Sequence, residues 1–201
     1  MIERINMSKG KILVIIGVFL ILISLTMTIY NKYEDLKAGK DANETLNIIK
    51  NEITSQKHVV DTLPTDEVRE MKTININGDE FIGTITIPSI NLELPVLSKF
   101  SNSNLKKAPC RYYGNLFTND LIICAHAYET FFANLNKLKQ NDLIIFTDVD
   151  GNVYTYEVLE VEVLKPTDVD KMVNNEFDLT LYTCTYDNTG RITVRCNRVN
   201  M

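Results

Sequence analysis

Apolar residues along this chain fall first into one unbroken block and then into short alternating runs. Residues 12–30 read ILVIIGVFLILISLTMTIY, without a charge. A run of that length crosses a hydrocarbon core as a helix. Its Ile, Leu, Val and Phe residues, about thirteen of them, favour insertion by about 6 kcal/mol. No small-x-small cleavage site follows; the next residues are Asn31-Lys32-Tyr33, which favours a retained anchor over a cleaved signal peptide. Residues 31–72 are charged. Within them Leu46, Ile49 and Ile53 share one helical face, which predicts a stalk helix or two over 31–55 and an irregular lead-in over 56–74.

From about residue 75 the period changes from helical to two. Predicted strands are Phe81–Ile87, closed by Pro88, then Leu92–Leu97, Leu121–Ala125, Leu143–Thr147, Val153–Leu164, Leu179–Thr183 and Arg191–Val199. Glu129–Leu138 (ETFFANLNKL) is expected to form a short helix, with Phe131/Phe132, Leu135 and Leu138 at helical spacing. About eight strands with one or two short helices make a mainly β barrel or sandwich. The expected layout is a cytoplasmic N-terminus at 1–11, a transmembrane anchor at 12–30, a stalk and linker at 31–74, and a catalytic domain at 75–201.

Charge narrows the partners. The net charge is −5, and the short Lys/Arg runs are interrupted by acids, so the basic footprint of a nucleic-acid binder is missing. Arg4, Lys9 and Lys11 precede the apolar block and Lys32, Lys37 and Lys40 follow it. The positive-inside rule is therefore nearly neutral, and the early single segment is what favours export of the remainder.

The four cysteines, Cys110, Cys124, Cys184 and Cys196, are irregularly spaced. A domain of this size needs no disulfide framework. Cys184 stands out. Leu179 and Leu181 face the core by alternation, so Thr180, Tyr182 and Cys184 face away; on the next strand Arg191, Thr193 and Arg195 face away likewise. Cys184 and Arg191 then lie across a short polar turn on the same side. A thiol beside a fixed cation suits a nucleophile; a semi-exposed cysteine next to a surface arginine is the bland alternative. A histidine normally serves such a thiol. Only His58 and His126 exist. His58 lies in the polar lead-in. His126 follows the buried run LIICA at a strand end, where a scaffold presents a catalytic group, although a structural histidine fits there too.

Other patterns have simpler explanations. Asp148-Val-Asp150-Gly151-Asn152 suggests calcium, but its glycine falls two positions early for an EF-hand and no closing Glu follows; a hairpin turn is expected. Cys124-x-His126 with Cys184 and Cys196 fits no usual zinc spacing, so no metal site is expected. Tyr112 and Tyr113 either line a groove or are exposed strand aromatics.

Together these residues resemble the sortases, cysteine transpeptidases of Gram-positive cell surfaces. Thr180-Leu-Tyr-Thr-Cys184 is similar to the family's TLxTC signature, and Arg191-Ile-Thr-Val194 to its arginine strand. Gly83-Thr-Ile-Thr-Ile-Pro88 followed by Leu94-Pro95-Val96-Leu97 resembles its opening strands, and His126 with Phe131-Phe-Ala-Asn-Leu135 its histidine segment. The chain departs from the family in having Ala125-His126-Ala127, where Gly-His-Asn or Gly-His-Ser is common. Arg195 and Arg198 compete with Arg191, which alone has the matching offset before Ile-x-Val.

The resemblance implies an eight-stranded sortase-type β-barrel at the cell membrane, single-pass, N-terminus inside, with Cys184, His126 and Arg191 catalytic and no cofactor. It implies surface proteins with a C-terminal LPxTG-like sorting motif as substrates, and an amine of a peptidoglycan precursor or a pilin as acceptor. Leu63-Pro64-Thr65 faintly resembles such a motif but lacks a following Gly and a hydrophobic tail, so the chain reads as enzyme, not substrate. The short 165–178 segment and the absence of an Asp-Pro-aromatic lid favour a class D-like or housekeeping-type subclass. The alternatives are a cysteine peptidase using the same three residues, and an inactive membrane-tethered binding module.

Overall fold

The computed structural model describes residues 9–56, 70–174 and 176–199; His58 and Leu63-Pro64-Thr65 lie outside them. Nine strands form one sheet. They are β1 (Ile74–Ile76), β2 (Asp79–Ile87), β3 (Leu92–Leu97), β4 (Cys110–Tyr113), β5 (Leu121–Cys124), β6 (Leu143–Asp148), β7 (Val153–Leu164), β8 (Leu179–Cys184) and β9 (Arg191–Arg198). The lateral order is β1-β2-β3-β4-β5-β8-β9-β7-β6, and β6 pairs back onto β2. Closure through that pairing makes an eight-stranded barrel, with β1 a short hairpin arm outside the ring.

Closure removes the exposed sheet edge, and it occurs at a glycine. Gly83 faces Asp148 of β6 at φ +148°, and a β-carbon there would lie 2.1 Å from the Thr147 carbonyl oxygen. Only a residue without a side chain lets β6 approach. Pro95 sits inside β3 because that strand meets β4 at a single pair, Leu97 with Cys110, so the missing N–H costs no ladder bond on that side.

Alternating residues fill the interior: Ile85, Ile87, Val96, Ile123, Phe146, Val158, Leu181 and Val194 are fully buried in one cluster. The β6–β7 connection is the expected hairpin turn. Asp148 accepts from the backbone N–H groups of Asp150 and Asn152, from Asn152 Nδ2 and from Tyr154 Oη, and Gly151 takes φ +83°. Among the described residues no three His, Cys, Asp or Glu side chains gather into a metal-binding group.

One expected element differs, and one was not expected. The helix expected over Glu129–Leu138 is only a 3-10 turn at Ala133–Lys137; Asn134 and Asn136 favour turns over helix, while burial of Phe131, Phe132 and Leu135 supplied the helix-like spacing. Helix α2 (Val169–Val173) instead lies between β7 and β8.

At the N-terminal side, α1 runs from Lys9 to Gln56 as one helix of 48 residues, with no break at residue 30. It is long and apolar enough to cross a membrane. Two compact units divide it, residues 1–37 and residues 38–201. In the first, the large apolar side chains from Ile12 to Tyr30 are exposed. In the second, Ala38, Ala42, Leu46 and Ile49 are buried. Ala38 and Ala42 join the main core cluster, whereas Ile49 joins Ile76, Phe81, Leu97 and Cys110, on the opposite face of β3 from Val96.

Candidate active site

Three strand ends meet at one end of the barrel. Strands β5 and β8 are parallel neighbours, with Cys124 opposite Tyr182, so their C-terminal ends lie side by side. Beyond them, Ala125 N–H donates to the Tyr182 carbonyl at 3.2 Å, and Thr183 Oγ1 donates to the Ala125 carbonyl at 2.8 Å. These bonds fix the residue before His126 against the residue before Cys184. Strand β9 runs antiparallel to β8, and Cys184 is the direct partner of Arg191. His126, Cys184 and Arg191 are each partly exposed.

The turn between Cys184 and Arg191 is closed by its own polar atoms. Thr185 N–H donates to Gly190 O at 3.0 Å, and Gly190 N–H donates back to Thr185 Oγ1 at 2.9 Å. The Asp187 carboxylate accepts from Thr185 Oγ1 at 2.6 Å and from Thr189 Oγ1 at 2.8 Å. Those bonds hold its carboxyl at about 2, below the ordinary 3.8. Thr185, Asp187 and Thr189 were not singled out in the sequence, although a Thr-x-Asp-x-Thr run in a turn offers local side-chain bonding of this kind.

The cysteines separate by environment. Cys110, Cys124 and Cys196 are buried and Cys184 is not. Burial pushes the Cys110 and Cys124 thiols up to about 12 and raises Cys196 as well. Raised, enclosed thiols are inert as nucleophiles, which leaves Cys184.

The arginines separate too. Alternation puts Arg191 and Arg195 on one face, but that face is not uniform. Arg195 is only 2% exposed. Its Nε donates to Glu162 at 2.9 Å, and its terminal nitrogens donate to Thr180 Oγ1 at 3.1 Å and the Lys171 carbonyl at 2.8 Å. The segment carrying α2 covers it, and covers Thr180, which the alternation had placed outward. Arg198 is committed to the Leu116 carbonyl and the Tyr156 hydroxyl. Arg191 donates to the Gly190 carbonyl at 3.0 Å and lines a cleft of about 270 Å³ with Tyr182, Tyr112, Phe100, Pro166 and Val169.

That cleft has an aromatic wall. Tyr112 meets Phe100 and Tyr182 edge-to-face, at 5.5 and 5.4 Å. Tyr112 therefore belongs to a groove, one of the two alternatives the sequence left open, and Tyr182 is the variable third residue of the Thr-Leu-x-Thr-Cys run. The His126 ring centroid lies 5.0 Å from that of Tyr128, at 30°. A partly exposed thiol paired with a cation that lines the cleft, and an imidazole beyond the end of the neighbouring strand, suit acyl transfer: attack, proton exchange and oxyanion stabilisation.

Comparison with known proteins bears on the family and the fold. A family model described as the sortase domain matches residues 85–199. Sortase A of Bacillus anthracis is 26% identical over 201 residues, covering 94% of this chain and 95% of that protein. Among solved structures, sortase C1 of Streptococcus agalactiae is 28% identical with a TM-score of 0.53, covering 63% of this chain and 72% of that chain. The sortase D5 transpeptidase of Clostridium perfringens has a TM-score of 0.58 at 20% identity, covering 80% of this chain and 99% of that one, a likeness of fold alone.

Proposed function

This chain belongs to the sortase family of cysteine transpeptidases, and from that premise we propose that it joins surface proteins to an amine through a thioester on Cys184. The observation that carries the proposal is the direct pairing of Cys184 with Arg191 across β8 and β9, with His126 at the end of the strand parallel to β8. The substrate is a surface protein with a C-terminal sorting motif of the Leu-Pro-x-Thr-Gly kind. Its apolar part enters the cleft walled by Tyr182, Tyr112 and Phe100.

Cys184 Sγ, as thiolate, attacks the carbonyl carbon of the motif's Thr. Arg191 donates hydrogen bonds to the oxyanion that forms, where a charge-assisted donor is worth most. Collapse of the tetrahedral adduct breaks the C–N bond, and His126 gives its proton to the leaving amine. A thioester remains. An amine from a peptidoglycan precursor or a pilin attacks it, His126 takes up the amine proton, and the C–S bond breaks to return the thiolate.

Under this proposal residues 12–30 anchor the chain, with residues 1–11 inside, residues 31–74 as stalk and linker, and the catalytic domain at 75–201 outside. Membrane attachment keeps enzyme and substrate at the same surface.

The test uses the full chain in detergent micelles with a library of peptides varied around Leu-Pro-x-Thr-Gly, with and without added glycine or lysine amines. Cleavage that yields a Cys184 thioester by mass spectrometry, and an amide product that grows with amine, is expected. Cys184→Ala removes both. Only the free acid at high amine would refute transfer and leave a peptidase.

A further inference from the structure

Residue 39 of α1 is a glycine whose side-chain space is already occupied. A β-carbon there would lie 2.6 Å from Thr130 Cγ2 and 2.7 Å from Thr130 Cβ. Thr130 is β-branched and has few rotamers to retreat into. Around this contact, Ala38 and Ala42 share a buried cluster with Phe131 and Phe132. Small residues on α1 thus let its backbone lie directly against the loop that follows His126.

That loop is short and tied to the imidazole. Phe132 N–H donates to the His126 carbonyl at 3.3 Å, and the N–H groups of Phe131 and Ala133 donate to the Tyr128 carbonyl at 2.9 and 3.1 Å. The Tyr128 ring lies 5.0 Å from the His126 ring and 5.5 Å from the Phe131 ring. A displacement at Thr130 therefore reaches His126 by two routes, through the Tyr128 ring and through the backbone carbonyl.

We propose that Gly39 is a positioning residue: the close approach of α1 at this glycine sets the 128–132 loop and, through Tyr128, the orientation of His126. The inference rests on His126 as the proton-transfer group. Intrinsic propensity gives the opposite expectation, since alanine is the better helix former at an interior position. A helix that merely covered the barrel would lose stability with alanine at 39, because of the collision with Thr130, but keep its turnover per folded molecule.

The experiment compares Gly39→Ala, Thr130→Gly and the double variant in the full chain in detergent micelles. Peptide cleavage rates are divided by the fraction of Cys184 that a thiol-directed covalent trap titrates, which removes differences in folded protein. Gly39→Ala is expected to lower kcat about tenfold or more, because small misplacements of a catalytic group are costly, with KM within about twofold. The double variant, in which the collision is gone, should fold and return kcat to within about threefold of Thr130→Gly alone. An unchanged kcat in Gly39→Ala, or no recovery in the double variant, overturns the proposal. His126→Ala separates it from its premise. If that variant turns over like wild type, both fall; if it is inactive while Gly39→Ala is fully active, only the coupling falls.

Discussion

Replacing Arg195 with methionine separates the two arginines that share a strand face. The substitution keeps an unbranched stem of similar length and removes the guanidinium. Three short hydrogen bonds are lost, to Glu162, to Thr180 Oγ1 and to the Lys171 carbonyl, along with a longer bond to the Met172 carbonyl and the approach to the Phe177 ring, which add little. The Glu162 side chain is 34% exposed, so its carboxylate regains water and the ion pair is worth only about 1 kcal/mol. The two neutral acceptors lose a donor that water replaces poorly, at about 1–1.5 kcal/mol each. The sum is about 3–4 kcal/mol, which at about 2–4 °C per kcal/mol for a domain of this size lowers the unfolding midpoint by about 10 °C. Thermal unfolding followed by circular dichroism on the full chain in micelles measures it. Arg191→Lys is the counterpart. Its midpoint should stay within about 2 °C of wild type while turnover falls at least about a hundredfold, because an ammonium cannot reproduce the guanidinium fork. An Arg195→Met midpoint within about 2 °C of wild type, or equal destabilisation by both variants, would refute this division of roles.

Two further outcomes follow from the fold. Gly83→Ala places a β-carbon 2.1 Å from the Thr147 carbonyl where the barrel closes, and should cost about 3 kcal/mol or more by urea denaturation; an unchanged midpoint would show that β6 does not close on β2 there. Alkali should destabilise the chain through Cys110 and Cys124, whose folded values near 12 exceed the ordinary 9.0 because of burial. The native state then keeps protons that the unfolded chain releases, so this stability is complete below pH 9 and is lost between pH 9 and about 12, at up to about 1.4 kcal/mol per pH unit per thiol. Midpoints measured from pH 8 to 11 should fall, and fall less steeply in Cys110→Ala; a flat wild-type profile would contradict the argument.

Much of the barrel was legible in the sequence, for specific reasons. Leu92–Leu97 and Val153–Leu164 have the bounds read from alternation, because turn residues flank both. Strand β4 was missed: Cys110–Tyr113 holds one buried residue in four, and it is a strand only because β3 and β5 lie on either side. The helix expected at 129–138 was the reverse error, where apolar spacing set by burial resembled a helical period. At the site, alternation put Cys184 and Arg191 on one side, and they are register partners. It treated that side as uniformly open, whereas α2 and its flanking residues cover Thr180 and Arg195 and stop short of Arg191. Such covering comes from a distant segment and leaves no trace in a period of two. Glycine at position 39 looked like any helical glycine, since its neighbour Thr130 lies ninety-one residues away along the chain.

The strand order carries a consequence for how the protein is made. Strand β9 sits between β8 and β7, pairing with both, although it is the last of the nine to leave the ribosome. Until Arg191–Arg198 emerges, β7 and β8 have no common neighbour and the cylinder stays open. Pairings between strands so distant along the chain form slowly, since loop closure precedes the contacts that reward it. Cys184 therefore acquires Arg191 as its neighbour only once β9 pairs with β8. If the domain is exported as proposed, a chain still being threaded across a bilayer would carry this thiol with Arg191 not yet paired beside it.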